Sequence, residues 1–593
     1  MEDQERAASR KALPIILIAA VVQGWVLYGL HLSIDHKHWP ATDPAVLIGL
    51  YSIALLIPVS IQLLAEHIRK PLAAGIVTLL AICLFYMGWH TGDTSPKEAA
   101  DNPGFFMPLA VEMSVLWLLA LPFLQARLDS GSWRLRYEAL FATAWRNKIA
   151  LAEAAVFTGA LWLLLMLWQV LFKLLGIDFF RDLFREPVFI YPVTSIAFGL
   201  ALHLIGSVER FTAIVLEQLL NVLKWLAIVA GVILALFTAA LILKLPGLFA
   251  TGQRAIGAAW LLWLVAVIVL LINAAYRDGN VERPYPRWIA ISLRVVVPLT
   301  TIVALTALYA LYVRTSRYGL TVERVWAFIV ASAAVMYSIG YAIAACRRGR
   351  WMNDIARVNI VVALVMIGAI ALALTPVLSP YRLAADSQAA LVLVEESVDE
   401  KIRDSSLRYL RFNAGEYGRA RLADLAKLEG HPRAAEIRKA AAAATAAKHE
   451  WEPLVRASPE ERFAAMILFP AGASIDSALK QRVIALLNEK SSRTLTGQAR
   501  ERDEQAFGVF ADLNGDTHDE FIFVDAQQAF FFEHRADQWI QAGTLTDDRG
   551  YAEGLAEDFA SGSIGVREPR WKRLVIGKRE YRVESTQSGA APP

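Results

Sequence analysis

The sequence predicts a polytopic α-helical membrane protein of about eleven transmembrane helices followed by a small α+β soluble domain. Three observations lead there. Across 593 residues, 56% are apolar and the mean hydropathy is +0.41, more than an ordinary soluble chain carries. Eleven apolar runs are each long enough to cross a bilayer, which takes roughly 20 residues. After Pro380 the composition turns soluble, and beyond about residue 505 apolar residues alternate as in strands. A net charge of +3 gives no basis for nucleic-acid binding. The two cysteines, Cys83 and Cys346, sit in or beside apolar runs and offer neither a disulfide framework nor a zinc pattern.

The charged stretch "MEDQERAASRK" opens the chain, and residues 1–12 read as a cytoplasmic tail. The bundle occupies 13–380, with spans expected at 13–30, 44–65, 71–90, 105–126, 149–176, 188–207, 219–243, 254–276, 289–312, 325–346 and 359–380. The first lacks a convincing cleavage site and reads as an uncleaved anchor. Arg and Lys concentrate in "EHIRK", in 127–148, in "RDGNVERPYPRW" and in "RRGRWMNDIAR", so these are expected inside. Arg314, Arg317 and Arg324 in "VRTSRYGLTVER" run against that bias. Eleven crossings from an inside start place everything after Pro380 outside the cytoplasm.

Within the loop after the fourth span, "SWRLRYEALFATAWRNK" places Trp133, Tyr137, Leu140, Phe141, Ala144 and Trp145 at helical spacing, with basic residues between. An interfacial helix near 132–147, lying on the lipid surface or packed under the bundle, is expected. Residues 381–585 form the extracytoplasmic α+β domain, helical over 381–500 and β-rich over 505–585. Two helices broken near Gly430 and Pro432, a helix start at "SPEERF" and the amphipathic "SALKQRVIALLNEK" precede the strands "QAFGVFADL", "EFIFVDA", "QAFFFEHR" and "WIQAGTL" and the hairpin "KRLVIGKREYRVES". The tail 586–593 is polar and expected to be disordered.

The stretches "LFATAWRNKIA", "RPYPRWIAISLRVVVPL", "SRYGLTVERVW", "SPYRLAADSQAALVL" and "LRYLRFNAGEYGRARLADL" together resemble the bacterial membrane-protein family catalogued as domain of unknown function 4153. The SQ segment and the "YLRF…G.YG" pattern are the most specific parts, and the likeness covers roughly 130–430. The resemblance implies a polytopic inner-membrane protein with an appended soluble part. It implies no activity, and no catalytic residue can be carried over.

Ionisable residues inside spans are candidates for function. Glu153, His203, Lys224 and Arg294 each lie about one helical turn from the inner end of their spans. They would form a polar cluster, Glu153 paired with Lys224 or Arg294, or else reach individually for the interface. Glu112 sits deeper, without a charged neighbour in sequence; it would be a proton carrier or a buried neutral acid. The first outer loop supplies His31, Asp35, His36 and His38, with His90 on the same side, as metal ligands or solvated histidines.

In "ADLNGDTHDEFIFVD", Asp512, Asn514, Asp516, the His518 carbonyl and Glu520 alternate. It is not an EF-hand, since Thr517 and Phe523 stand where Gly and a bidentate Glu belong. It resembles the calcium hairpin of FG-GAP and VCBS-type repeats, which implies a structural Ca2+ between two strands. The alternative is an Asx-rich turn without metal.

No phosphate-binding loop, nucleophile elbow or H-E-x-x-H occurs, so no enzyme is indicated. The expected function is transport or envelope sensing, with the lipid bilayer as environment and an envelope protein or solute as partner. A non-transporting scaffold and a membrane-embedded enzyme acting on envelope or lipid-linked substrates are the alternatives. Transport requires a cavity lined by Glu112 or the inner cluster; a scaffold or sensor requires a filled bundle.

Overall fold

The computed structural model describes residues 2–68, 70–96, 106–133, 136–206, 209–251, 257–279, 284–347, 352, 354–394, 400–450, 459–464, 466–470, 472–493, 506–513, 515–524, 529–535, 538–545, 574–576 and 579–581. Two compact units divide the chain, Met1–Glu450 and Trp451–Pro593.

The first unit is a helical bundle with a cap of shorter helices. Its helices are α1 (Glu2–Asp35), α2 (Pro44–Leu63), α3 (Pro71–Thr94), α4 (Met107–Ser130), α5 (Tyr137–Leu174), the short α6 (Phe179–Leu183), α7 (Pro187–Gly206), α8 (Glu209–Thr251), α9 (Ala258–Tyr276), α10 (Arg287–Val296), α11 (Leu299–Tyr318), α12 (Val322–Cys346) and α13 (Ile355–Ala373). Among the described residues, eleven spans satisfy the length and hydropathy needed to cross a membrane, α10 and α11 counting together as Arg287–Tyr318. Most of their surface is apolar and exposed, as hydrocarbon contact requires, because lipid rather than a polar solvent covers it.

Start signals follow local chemistry. Asp43 caps α2, its Oδ1 accepting from the Ala45 and Val46 amides at 3.1 and 3.3 Å, with Pro44 in the first turn, where its missing N–H costs nothing. The largest apolar core lies where α8 to α12 meet, around Val265, Val303, Ala304 and Tyr341. Some polar groups buried among the spans bond to each other: Trp117 Nε1 donates to Ser60 Oγ at 2.7 Å and Asn147 Nδ2 to Gln125 Oε1 at 2.6 Å.

Two expectations are corrected. The segment near 132–147 is not a separate interfacial helix. From Tyr137 it is the opening of α5, which continues to Leu174 for 38 residues, because Leu140, Thr143 and Asn147 are buried in the bundle. The first four helices from Pro380 onward do not join the strands, whereas the later α18 (Pro459–Ala464) and α19 (Ser477–Arg493) do. The four are α14 (Pro380–Val392), α15 (Glu400–Phe412), α16 (Gly415–Leu425) and α17 (Ala434–Ala446), and they belong to the first unit, α14 packing on α12 and α16 on α3.

The second unit holds α18 (Pro459–Ala464), β1 (Ile467–Phe469), α19 (Ser477–Arg493), β2 (Phe507–Ala511), β3 (Glu520–Val524), β4 (Ala529–Arg535), β5 (Gln538–Leu545), β6 (Leu574–Ile576) and β7 (Arg579–Tyr581). The five-stranded sheet runs β1-β2-β3-β4-β5, with β1 parallel to β2 and the rest antiparallel; β6 and β7 form the expected hairpin. Leu479, Val483 and Leu487 of α19 cover one sheet face against Phe521, Phe523 and Phe532. The tail 586–593 lies outside the described residues.

Candidate functional site: a clamp between the cap and the bundle

The link between α11 and α12 is held from outside by side chains of the cap. Leu320 N donates to Ser387 Oγ at 2.9 Å, while Gln388 Nε2 donates to the carbonyls of Tyr318 and Leu320 at 3.0 and 2.8 Å. Val322 N donates to Tyr409 Oη of α15 at 2.8 Å. Arg324 Nη1 also donates to Tyr318 O, at 3.0 Å, and to Gly319 O, and Thr321 caps α12 by accepting from Arg324 N at 3.4 Å. The Ser-Gln pair thus meets a bend that has no neighbouring strand to satisfy its backbone. Gly319 has φ +69°, and a Cβ on it would lie 2.7 Å from both Gln388 Nε2 and Leu391 Cδ1; the approach admits glycine alone.

A second contact ties the cap to α3. Gly415, at φ +59°, turns α15 into α16 directly against the end of α3, where a Cβ would overlap the Thr94 carbonyl oxygen. The sequence patterns "SRYGLTVER", "SPYRLAADSQ" and "YLRFNAGEYG" therefore meet at one place. Burial pushes the Tyr409 phenol above its ordinary range; burial and then the Glu112 carboxylate do the same to Tyr381. Both phenols stay protonated at neutral pH. Beside the clamp, α14 and α16 leave a groove of about 400 Å³ with Ala389, Leu393, Leu425 and Leu428 among its apolar lining. On its rim, Arg421 pairs with Asp386 and Asp424 at 2.7 and 3.0 Å.

The intramembrane candidates Glu112, Glu153, His203, Lys224 and Arg294 lie on five different helices. Glu112, half-buried on α4, is near enough to Tyr381 to act on its phenol and has no ion pair among the described residues. Lys224 is not paired with Glu153: its Nζ lies 5.3 and 5.5 Å from the ring centroids of Trp225 and Tyr285. Half-buried Arg294 lies on α10, the opening part of the Arg287–Tyr318 span, ahead of the break at Val297 and Pro298. His203 is half-buried on α7, and Glu153 half-buried on α5. His31 packs on Tyr191, His36 faces His38, and His90 is buried beside Tyr86.

In the β2–β3 loop the acidic side chains serve the loop's own backbone. Asp512 accepts from Gly515 N at 2.6 Å and Thr517 N at 3.0 Å, and Asp516 from His518 N at 2.8 Å. Glu520 is buried and accepts from Leu513 N at 2.7 Å. Asn514 lies outside the described residues. Among the described residues no three His, Cys, Asp or Glu side chains form a group that could hold a metal ion.

Sequence reasoning missed a polar hub inside the bundle. Asn359 Oδ1 accepts from Tyr341 Oη at 2.7 Å, while its Nδ2 donates to Tyr137 Oη at 2.8 Å and Asn273 Oδ1 at 2.6 Å. Four helices, α5, α9, α12 and α13, meet there. The only signal was two lone asparagines in apolar runs, which carry no charge to draw notice.

A family model described as a domain of unknown function (DUF4153) matches residues 45–405, more than half of the chain. The chain belongs to this family. The DUF4153 segment takes in Gly319, Ser387 and Gln388 but stops short of Tyr409 and Gly415, so it begins earlier than the sequence patterns indicated and excludes the "YLRFNAGEYG" pattern. No curated protein and no solved structure matches the chain.

Proposed function

We propose that this DUF4153 protein is a membrane-embedded sensor of the envelope, in which the α14–α17 cap reports its state to the bundle through the clamp on residues 318–322. The observation that carries this reading is the set of cap side chains, Ser387, Gln388 and Tyr409, bonded to the backbone joining two spans. A small change in the cap then acts directly on α11 and α12. The groove between α14 and α16 gives the cap a surface that a partner's side chain can occupy. Transport is less favoured: the void between α8, α9 and α10 is lined by apolar residues such as Leu234, Ile272 and Val297 and is too narrow for water. The test is complementation of a deletion strain. A folded Ser387→Ala/Gln388→Ala double variant is expected to behave like the deletion, and purified protein in liposomes to show no Glu112-dependent proton flux. Flux lost in Glu112→Gln, with the clamp variant fully active, overturns the reading.

The distribution of Arg and Lys supports an inner-membrane orientation with the N-terminus inside and the second unit outside. A reporter active only outside the cytoplasm, fused after residue 450, is expected to work; activity of an inside-only reporter there reverses the orientation. For the β2–β3 loop we retain calcium as a proposal, supported by the alternating acidic positions and by Thr517 adopting a left-handed φ of +69° at the turn. Millimolar calcium is expected to raise the melting temperature of the full chain by linkage, and Asp512→Ala to abolish the rise. An unchanged curve leaves the carboxylates as turn acceptors.

A further inference from the structure

We propose that the corner joining α5 to α7 is seated in the headgroup layer of the bilayer, with the lipid surface as the partner of its exposed apolar side chains. Trp162 Nε1 of α5 donates to Thr194 Oγ1 of α7 at 3.1 Å, which puts these two residues at one level. From there α5 runs on for about 18 Å to Leu174, whereas α7 needs only about 10 Å to reach its first residue, Pro187. The end of α5 therefore projects past the start of its neighbour, and the chain returns through a turn at Gly176 and through α6.

One turn of helix, α6, has two different sides. Phe179, Phe180, Leu183 and Phe184 fall on one, and Asp178, Arg181, Asp182 and Arg185 on the other. The apolar side closes on the bundle: the Phe180 ring lies 4.5 Å from that of Phe172 and 5.3 Å from that of Trp168 on α5, and the Phe184 ring 5.2 Å from that of Phe189 on α7, between centroids. On the charged side, Arg181 pairs with Asp178 and Asp182 at 2.9 and 3.0 Å.

Apolar side chains also project from the corner itself. Leu174, Leu175 and Phe179 are 79, 74 and 64% exposed, a projection that water does not favour. The helix below shows what covers it. Leu163, Leu164, Leu167 and Leu171 are exposed on the same side of α5 as Leu174 and Leu175, so the lipid-facing flank of the span runs without interruption into the corner. A surface that meets acyl chains along the span meets the headgroup boundary at its end, where an amphipathic turn lays its apolar side inward and its charges toward water and aromatic rings gather. Residues 173–186 hold three cations and three carboxylates, so the attachment is apolar and does not select anionic lipid.

The test uses the full chain with Cys83→Ser and Cys346→Ser, carrying one nitroxide at Leu175→Cys, Phe179→Cys or Asp182→Cys and reconstituted in phosphatidylcholine vesicles with or without phosphatidylglycerol. Relaxation by oxygen against that by a water-soluble nickel chelate reads the depth of each label. The labels at Leu175 and Phe179 are expected about 5–10 Å inside the headgroup boundary and the label at Asp182 in water, with no shift when phosphatidylglycerol is added. If either apolar position disturbs folding, Leu174→Cys carries the same expectation. Nickel access at Leu175 and Phe179 equal to that at Asp182 overturns the proposal. So does loss of access to both reagents with spin–spin broadening, which means that a second copy covers the corner, and so does a seat found only with phosphatidylglycerol.

Discussion

Removing the amide of Gln388 isolates the clamp. Gln388 is 3% exposed and donates to two carbonyls, of which Tyr318 O keeps Arg324 as a second donor. Gln388→Ala therefore leaves one partly buried carbonyl, Leu320 O, without its donor, together with lost packing against Gly319. An orphaned buried acceptor costs about 1–3 kcal/mol, so a central value of about 2 kcal/mol is expected for opening of the bend. At about 1.4 kcal/mol per factor of ten, amide exchange there rises roughly 30-fold. Hydrogen-exchange mass spectrometry on the full chain reads this directly. A peptide spanning 316–324 should lose protection at the Leu320 and Val322 amides, while one covering β2 stays unchanged. Gln388→Glu is the sharper perturbation. It replaces a donor to two carbonyls with an acceptor facing them, so its effect must exceed that of alanine. If the bend keeps its protection in Gln388→Ala, or if glutamate is the milder change, the clamp does not hold the link.

Gly415→Ala combines a left-handed φ with overlap on the Thr94 oxygen, and is expected to destabilise the detergent-solubilised chain by about 3 kcal/mol or more. Gly131→Ala, at φ +66° with open space around it, should cost only about 1–2 kcal/mol; equal melting shifts for the two contradict the close approach. Asn359→Leu strips partners from Tyr137, Tyr341 and Asn273 and should cost roughly 3 kcal/mol in denaturant unfolding, against about 1 kcal/mol for Tyr341→Phe. Burial pushes the Asp476 carboxyl up, but the Leu479 amide, the Trp539 indole and the Ala478 amide together hold it below the usual carboxylate range. The stability it contributes is thus full above the ordinary carboxylate value and is lost as pH falls through the lowered one. Acid-induced exchange of α19 should follow that course, and Asp476→Ala should flatten it.

The spans were legible because a bilayer imposes a one-dimensional requirement. Any helix crossing it must be apolar for about 20 residues, so runs such as 258–276 declare themselves without reference to neighbours. The strands and α19 were legible for a similar reason, through the periodicity of residues such as Phe521, Phe523 and Leu479. Partnership was not. Ser387 and Gln388 reach a bend nearly seventy residues away, and Asn359 reaches Tyr137 across 222 residues; neither separation leaves a local pattern. The charged residues chosen from the sequence, Glu153, His203, Lys224 and Arg294, are expected at one depth, but depth alone does not say which helix faces they occupy. Packing decided that Lys224 lies on aromatic rings rather than on Glu153, and that helices α14–α17, soluble in composition, belong with the bundle: a helix joins whichever surface buries its apolar face, and that choice is made only when the chain is folded.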